Sequence, residues 1–106
     1  MNIILYYRTD CLYSIELIYK LTNEMKKNIS FICLDSIEYN YEKKNRYIYN
    51  EYNNKIIDIS PNIQYTPTLI VDNKHQYEGL NEIYNVLTYD LFIKQSKILS
   101  NNDLKV

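Results

Sequence analysis

The hydrophobic period changes within the first fifteen residues, and that change constrains most of what can follow. Ile3-Ile4-Leu5-Tyr6-Tyr7 is an apolar run with few polar interruptions, the pattern of a strand covered on both faces. A short polar break, Arg8-Thr9-Asp10, leads to Cys11-Leu12-Tyr13-Ser14, and beyond Ser14 the period is helical. At about 100° per residue, Cys11, Ile15, Ile18, Leu21, Thr22 and Met25 fall on one broad side, and Tyr13, Glu16, Lys20, Asn23 and Glu24 on the other. The pattern predicts a strand feeding one helix, with a cysteine at the first turn. Unpaired backbone N–H groups and the positive end of the helix dipole stabilise a thiolate at such a position.

The rest of the chain fits around that unit. Lys26-Lys27-Asn28 is a polar helix end of favourable charge, and Ile29 to Leu34 reads as a second strand closed by Asp35-Ser36. Strand, helix and strand in this length predict a right-handed βαβ unit with parallel strands. Tyr39 to Asn54 is polar and rich in Tyr and Asn; a helix is expected from about Tyr41 to Asn53, with Tyr41, Ile48 and Tyr52 as its apolar positions. Pro61 prevents a helix from continuing through Ile56 to Ile59. Gln64 to Thr68 then precedes a buried strand, Leu69-Ile70-Val71. The turn Asp72-Asn73-Lys74 and a short antiparallel partner, His75-Gln76-Tyr77, follow. Gly79 is the single glycine, expected where φ is positive or the backbone is closely approached. Asn81 is the expected N-cap of a last helix, with Glu82 in its first turn and Ile83, Val86, Leu87 and Leu91 as its buried stripe. That helix kinks or restarts near Asp90 and ends before the polar tail, Ser100 to Val106. The order is βα, β, α, ββ, α: an α/β domain over residues 1–99, then a tail, 100–106.

Composition narrows the function classes. A chain of 106 residues supports one core. A net charge of −1 offers no general attraction to nucleic acid or to an anionic membrane. No segment reaches the roughly 20 apolar residues of a membrane span. No basic stretch precedes the first apolar run, so no export signal is expected and the expected compartment is the cytoplasm. Two cysteines make no disulfide framework, which favours a reactive thiol over a structural staple. The 13 tyrosines are read as core and surface filler, since no run of them alternates with a basic patch.

Three local patterns, in this order and spacing, resemble the glutaredoxins of the thioredoxin-like superfamily over about residues 2 to 97. Arg8-Thr9-Asp10-Cys11-Leu12-Tyr13-Ser14 looks like the family's active-site segment, in which a basic residue stands three before a Cys-Pro-Tyr-Cys or Cys-Pro-Tyr-Ser motif. Thr66-Pro67-Thr68 before a strand is similar to its cis-proline segment. Asn73-Lys74-His75, Gly79 and Asn81-Glu82-Ile83 resemble its strand, glycine pair and acidic helix start. The resemblance implies a thioredoxin-like fold, a four-stranded mixed sheet flanked by three or more helices. It further implies a monothiol thiol–disulfide oxidoreductase working with glutathione, held by Arg8, Tyr13, Thr66, Pro67, Gly79, Leu80 and Asn81. The departures are Leu12 for the motif proline, Ser14 for a second cysteine, one glycine for two, Asp10 beside the sulfur, and a longer segment between Asp35 and Pro67.

Cys11 is the expected nucleophile, and its bland alternative is a packed, inert thiol. Ser14, one turn on, either hydrogen-bonds the Cys11 thiolate or simply serves the helix start. Cys33 lies within the second strand, is expected in the core, and is too badly placed to bridge to Cys11, given the roughly 7 Å limit on Cα separation. A cis bond before Pro67 would expose the Thr66 backbone to an extended peptide such as glutathione, and an antiparallel third strand would bring Thr66 beside Cys11. Arg8 is a carboxylate contact and a pKa tuner, or a solvated loop cation. The turn at residues 79–82 offers backbone N–H groups to a carboxylate, weakened by Glu82. His75 is expected at the surface, and the chain's own side chains offer no zinc site. The partners expected are glutathione and glutathionylated or disulfide substrates, with the protein a monomer. Two other functions fit the same residues: a dimer holding a bridging iron–sulfur cluster through Cys11 and glutathione, and a thioredoxin-fold interaction module without catalysis.

Overall fold

A computed structural model describes residues 1–93, with side chains as far as 89. β1 (Ile3–Tyr7) runs into α1 (Leu12–Lys20) and α2 (Asn23–Lys27), followed by β2 (Ser30–Cys33). Three short strands come next: β3 (Glu38–Asn40), β4 (Asn45–Asn50) and β5 (Lys55–Ile59). β6 (Thr68–Val71), β7 (His75–Glu78) and α3 (Leu80–Asn85) complete the order, and α3 continues as a π-helical segment, Val86–Ile93. The predicted four-stranded mixed sheet is present, in the order β2-β1-β6-β7. β1 pairs parallel with β2, and β6 pairs antiparallel with β1 and β7.

Alternation along β1 sends its side chains into two separate cores. Ile3 and Leu5 join Leu17, Leu21, Met25, Ile29, Leu69, Val71, Ile83, Val86 and Leu87 on the helical side. Tyr6 points the other way and packs with Leu34, Ile59 and Ile63, flanked by Ile4, Ile32, Ile48, Ile57 and Ile70.

What covers that second face corrects the sequence reading. Residues 41–53 are not a helix; they belong to an antiparallel meander, β3-β4-β5. The physical reason lies in the asparagines and the β-branched and aromatic residues between them. Asn40 Oδ1 accepts from the backbone N–H groups of Glu42 and Lys43, Asn50 Oδ1 from that of Tyr52, and Asn53 Oδ1 from that of Lys55. These side chains build turns, with Lys44 and Asn54 at φ of 55° in each case, and leave Tyr47-Ile48-Tyr49 and Ile56-Ile57 to pair as strands. Ile48 pairs with Ile57 and both face the four-stranded sheet.

The first helix is also corrected. It breaks at Leu21, and Thr22 caps a second helix by accepting from the Met25 N–H at 3.2 Å. The buried stripe of α1 is rotated from the expected one. Leu17 and Ser14 are fully buried, Leu21 and Met25 are buried as expected, Cys11, Ile15 and Ile18 are half-buried, and Thr22 is exposed. The hairpin between β6 and β7 follows expectation. Asp72 and Asn73 have φ of 54° and 57°, and the Lys74 N–H donates to the Val71 carbonyl at 3.1 Å, a turn whose twist matches that of the strands. The N-cap of α3 is Gly79, not Asn81. Ile83, Val86 and Leu87 are buried as expected. The side chains of Asp90 and Leu91, the end of the last helix and the tail 100–106 lie outside the described residues.

Candidate active site

β1 ends at Tyr7, and the loop that follows carries Cys11 to the N-cap of α1. Its backbone is extended there, and its carbonyl starts the helix by accepting from the Ile15 N–H at 3.1 Å. The N–H groups of Tyr13 and Ser14 then have no partner within the helix. Because β6 runs antiparallel to β1, the segment entering β6 arrives at the same end of the sheet. The Thr66–Pro67 peptide is cis, Pro67 is fully buried, and the Cys11 thiol donates to the Thr66 carbonyl at 3.3 Å. The predicted meeting of Cys11 with Thr66-Pro67 is therefore present.

Two opposed effects act on the sulfur. Partial burial pushes the Cys11 thiol up, but hydrogen bonding by the side chains of Ser14 and Thr66 and the backbone of Ser14 and Tyr13 outweighs it. The thiol is held below its ordinary value of 9.0. Ser14 is fully buried, and its Oγ accepts from the Arg8 N–H at 3.4 Å, which leaves its own hydroxyl proton free to donate. Among the described residues, the Ser14 side chain makes no hydrogen bond to backbone beyond the Arg8 contact, and it is among the groups that lower the Cys11 thiol.

Arg8 and Asp10 correct a second expectation. The Arg8 Nε lies 3.2 Å from the Asp10 carboxylate, so the two charges pair with each other. The causes acting on the Cys11 thiol are burial and hydrogen bonds. The loop is secured instead by a residue the sequence reading left aside. Asp35, beyond β2, accepts from the Thr9 N–H at 2.9 Å and from the Thr9 hydroxyl, and these bonds hold its carboxyl below the ordinary carboxylate value of 3.8. A polar residue just past a parallel neighbour strand was the available signal, since such a residue faces the loop after β1.

Tyr13, Gly79, Leu80 and Asn81, four of the residues expected to hold glutathione, line one open groove of about 480 Å³ with Glu78 and Glu82. Tyr13, two residues after Cys11, lines this groove, and the Gly79 N–H donates to the Pro67 carbonyl at 3.0 Å, which ties the groove wall to the cis-proline segment. Gly79 has φ of +88°, and a Cβ placed there would meet nothing within 4 Å, so the conformation and not a close approach calls for glycine. Arg8 does not line that groove. Cys33 is half-buried rather than in the core, and neither cysteine is in a disulfide. His75 is exposed on the edge strand β7, as expected. Cys33, Phe31, Ile48 and Tyr49 line a separate cavity of about 550 Å³ between β2 and the meander.

Among the described residues no group of three or more His, Cys, Asp or Glu is placed to hold a metal ion. No described helix is long and apolar enough to cross a membrane. Comparison with protein-family models, with curated proteins and with solved structures found no match.

Proposed function

We propose that the chain is a glutaredoxin-like monothiol oxidoreductase on a thioredoxin-like fold, with Cys11 as nucleophile and glutathione as the thiol that closes the cycle. The observation that carries this reading is a half-exposed sulfur with a lowered pKa, 3.3 Å from a backbone carbonyl next to a cis-proline. A thiolate at a helix start is the reacting form in thiol–disulfide exchange. Once deprotonated, Cys11 no longer donates to Thr66, and that carbonyl becomes available to an N–H of an incoming extended peptide.

In the first step the Cys11 thiolate attacks the glutathione sulfur of a mixed disulfide. The old S–S bond breaks, the substrate thiolate leaves with the bonding pair and takes a proton from water, and Cys11 is left glutathionylated. A second glutathione thiolate then attacks the glutathione sulfur on Cys11, releasing glutathione disulfide and restoring the Cys11 thiolate. Ser14 cannot form an internal disulfide; it hydrogen-bonds the sulfur in its anionic form. The test is deglutathionylation of a glutathionylated peptide by the intact chain and by Cys11→Ser. Activity in the first and none in the second is expected, and turnover retained by Cys11→Ser rules the mechanism out.

A further inference from the structure

The charged side chains along the groove bear on which polypeptide carries the disulfide to Cys11. Arg8, the cation in the segment before Cys11, is ion-paired with Asp10 at 3.2 Å. The groove that Tyr13 shares with the start of α3 is lined by two carboxylates, Glu78 and Glu82, and no lining residue is basic. Glu82 is held at the mouth of α3, where its Oε2 accepts from the Glu78 N–H at 3.4 Å. The Gly79 N–H serves the Pro67 carbonyl, so a substrate carboxylate would be left with the donors of the first turn of α3, beside Glu82. Glu78 and Glu82 are both exposed. Hydrophobic side chains also stand outward around the sulfur: Leu12 is 84% exposed, Tyr13 64% and Tyr65, next to Thr66, 63%.

We propose that the disulfide reaching Cys11 is carried by a polypeptide with basic residues flanking its cysteine, the apolar parts resting on Leu12, Tyr13 and Tyr65 and the cations meeting Glu78 and Glu82. This inference rests on the exchange reading above and names its substrate class. Complementary charge at the rim of a reactive site acts mainly on encounter rate and on the choice between partners, and salt screens it. A polypeptide with acidic flanks meets the opposite field, while the glutathione moiety is common to both kinds of substrate.

The test uses two synthetic peptides, each glutathionylated on its single cysteine and identical except for lysines or glutamates flanking it. The second-order rate of glutathione transfer to Cys11 is measured for both. A preference of about tenfold for the lysine peptide is expected at about 20 mM salt, shrinking severalfold at about 0.5 M. In the double variant Glu78→Gln, Glu82→Gln the ratio of the two rates should fall toward one. Equal rates for the two peptides in the unmodified chain overturn the inference and leave the exchange reading standing. A preference unaffected by the double variant also overturns it. No transfer from either peptide, with Cys11 still alkylated by iodoacetamide, overturns both.

Discussion

Ser14 shows how one hydroxyl can tune a sulfur without any neighbouring charge. It is fully buried and lies one helical turn beyond Cys11. Ser14→Ala should raise the pH midpoint of Cys11 alkylation toward the ordinary 9.0 and slow the reaction near neutrality, at a cost of about 1 kcal/mol in stability. A pH series of iodoacetamide rates checks the first effect and a urea melt the second. The linked stability has a definite direction. A thiol whose folded value is lowered contributes stability that is fully present above 9.0 and fades as pH falls through the folded value. Asp35 obeys the same rule lower on the scale. Its contribution is present above the ordinary carboxylate value of 3.8 and is lost as acid takes the pH through the folded one. Asp35→Asn should therefore flatten the acid limb of a stability–pH curve and slow Cys11 exchange, because the Thr9 loop is no longer held; an unchanged acid limb would refute the assignment.

At the scale of elements, the approach to Thr66 depends on the meander. Arg46 on β4 is half-buried, and its Nη2 donates to the carbonyls of Ser60 and Ile63 at 2.8 and 2.6 Å. One guanidinium thus ties the strand to the segment that delivers Thr66 to the sulfur. Arg46→Met keeps much of the apolar stem but removes both bonds. The expected result is faster hydrogen exchange at the Ile63 amide, which donates to Ser60 at 3.0 Å, with slower Cys11 exchange and a modest fall in melting temperature. Nothing in the local pattern announced this role, since an arginine among tyrosines and asparagines reads as a solvated charge. The α1 stripe teaches a related lesson. Leu17 is fully buried although it fell outside the expected side, because the buried face of α1 runs through Ser14, Leu17 and Leu21 at helical spacing. Leu17→Ala should cost about 3–5 kcal/mol by thermal or denaturant unfolding.

For the whole molecule, the decisive feature is that one sheet has two covers of different kind. Helices close one face and a three-stranded meander closes the other. Replacing residues 38–59 with a short flexible linker should leave Tyr6, Leu34 and Ile63 uncovered, giving a chain that binds hydrophobic dyes and melts without cooperativity; a sharp native-like transition would show the meander to be dispensable. By itself the sequence determined β1, the parallel β2, the hairpin of β6 and β7, and the arrival of Thr66-Pro67 beside Cys11. The strands and the hairpin rest on local hydrophobic period and turn chemistry; the parallel pairing follows from the strand–helix–strand connection, and the place of Thr66-Pro67 beside Cys11 came with the resemblance. Only the tertiary structure decided that residues 41–53 would form strands, that Arg8 would spend its charge on Asp10, and that Asp35 and Arg46 would hold the loops around the sulfur. Those outcomes depend on pairings between residues distant in the chain, or on which of several partners a charge meets first, and no local window contains that information.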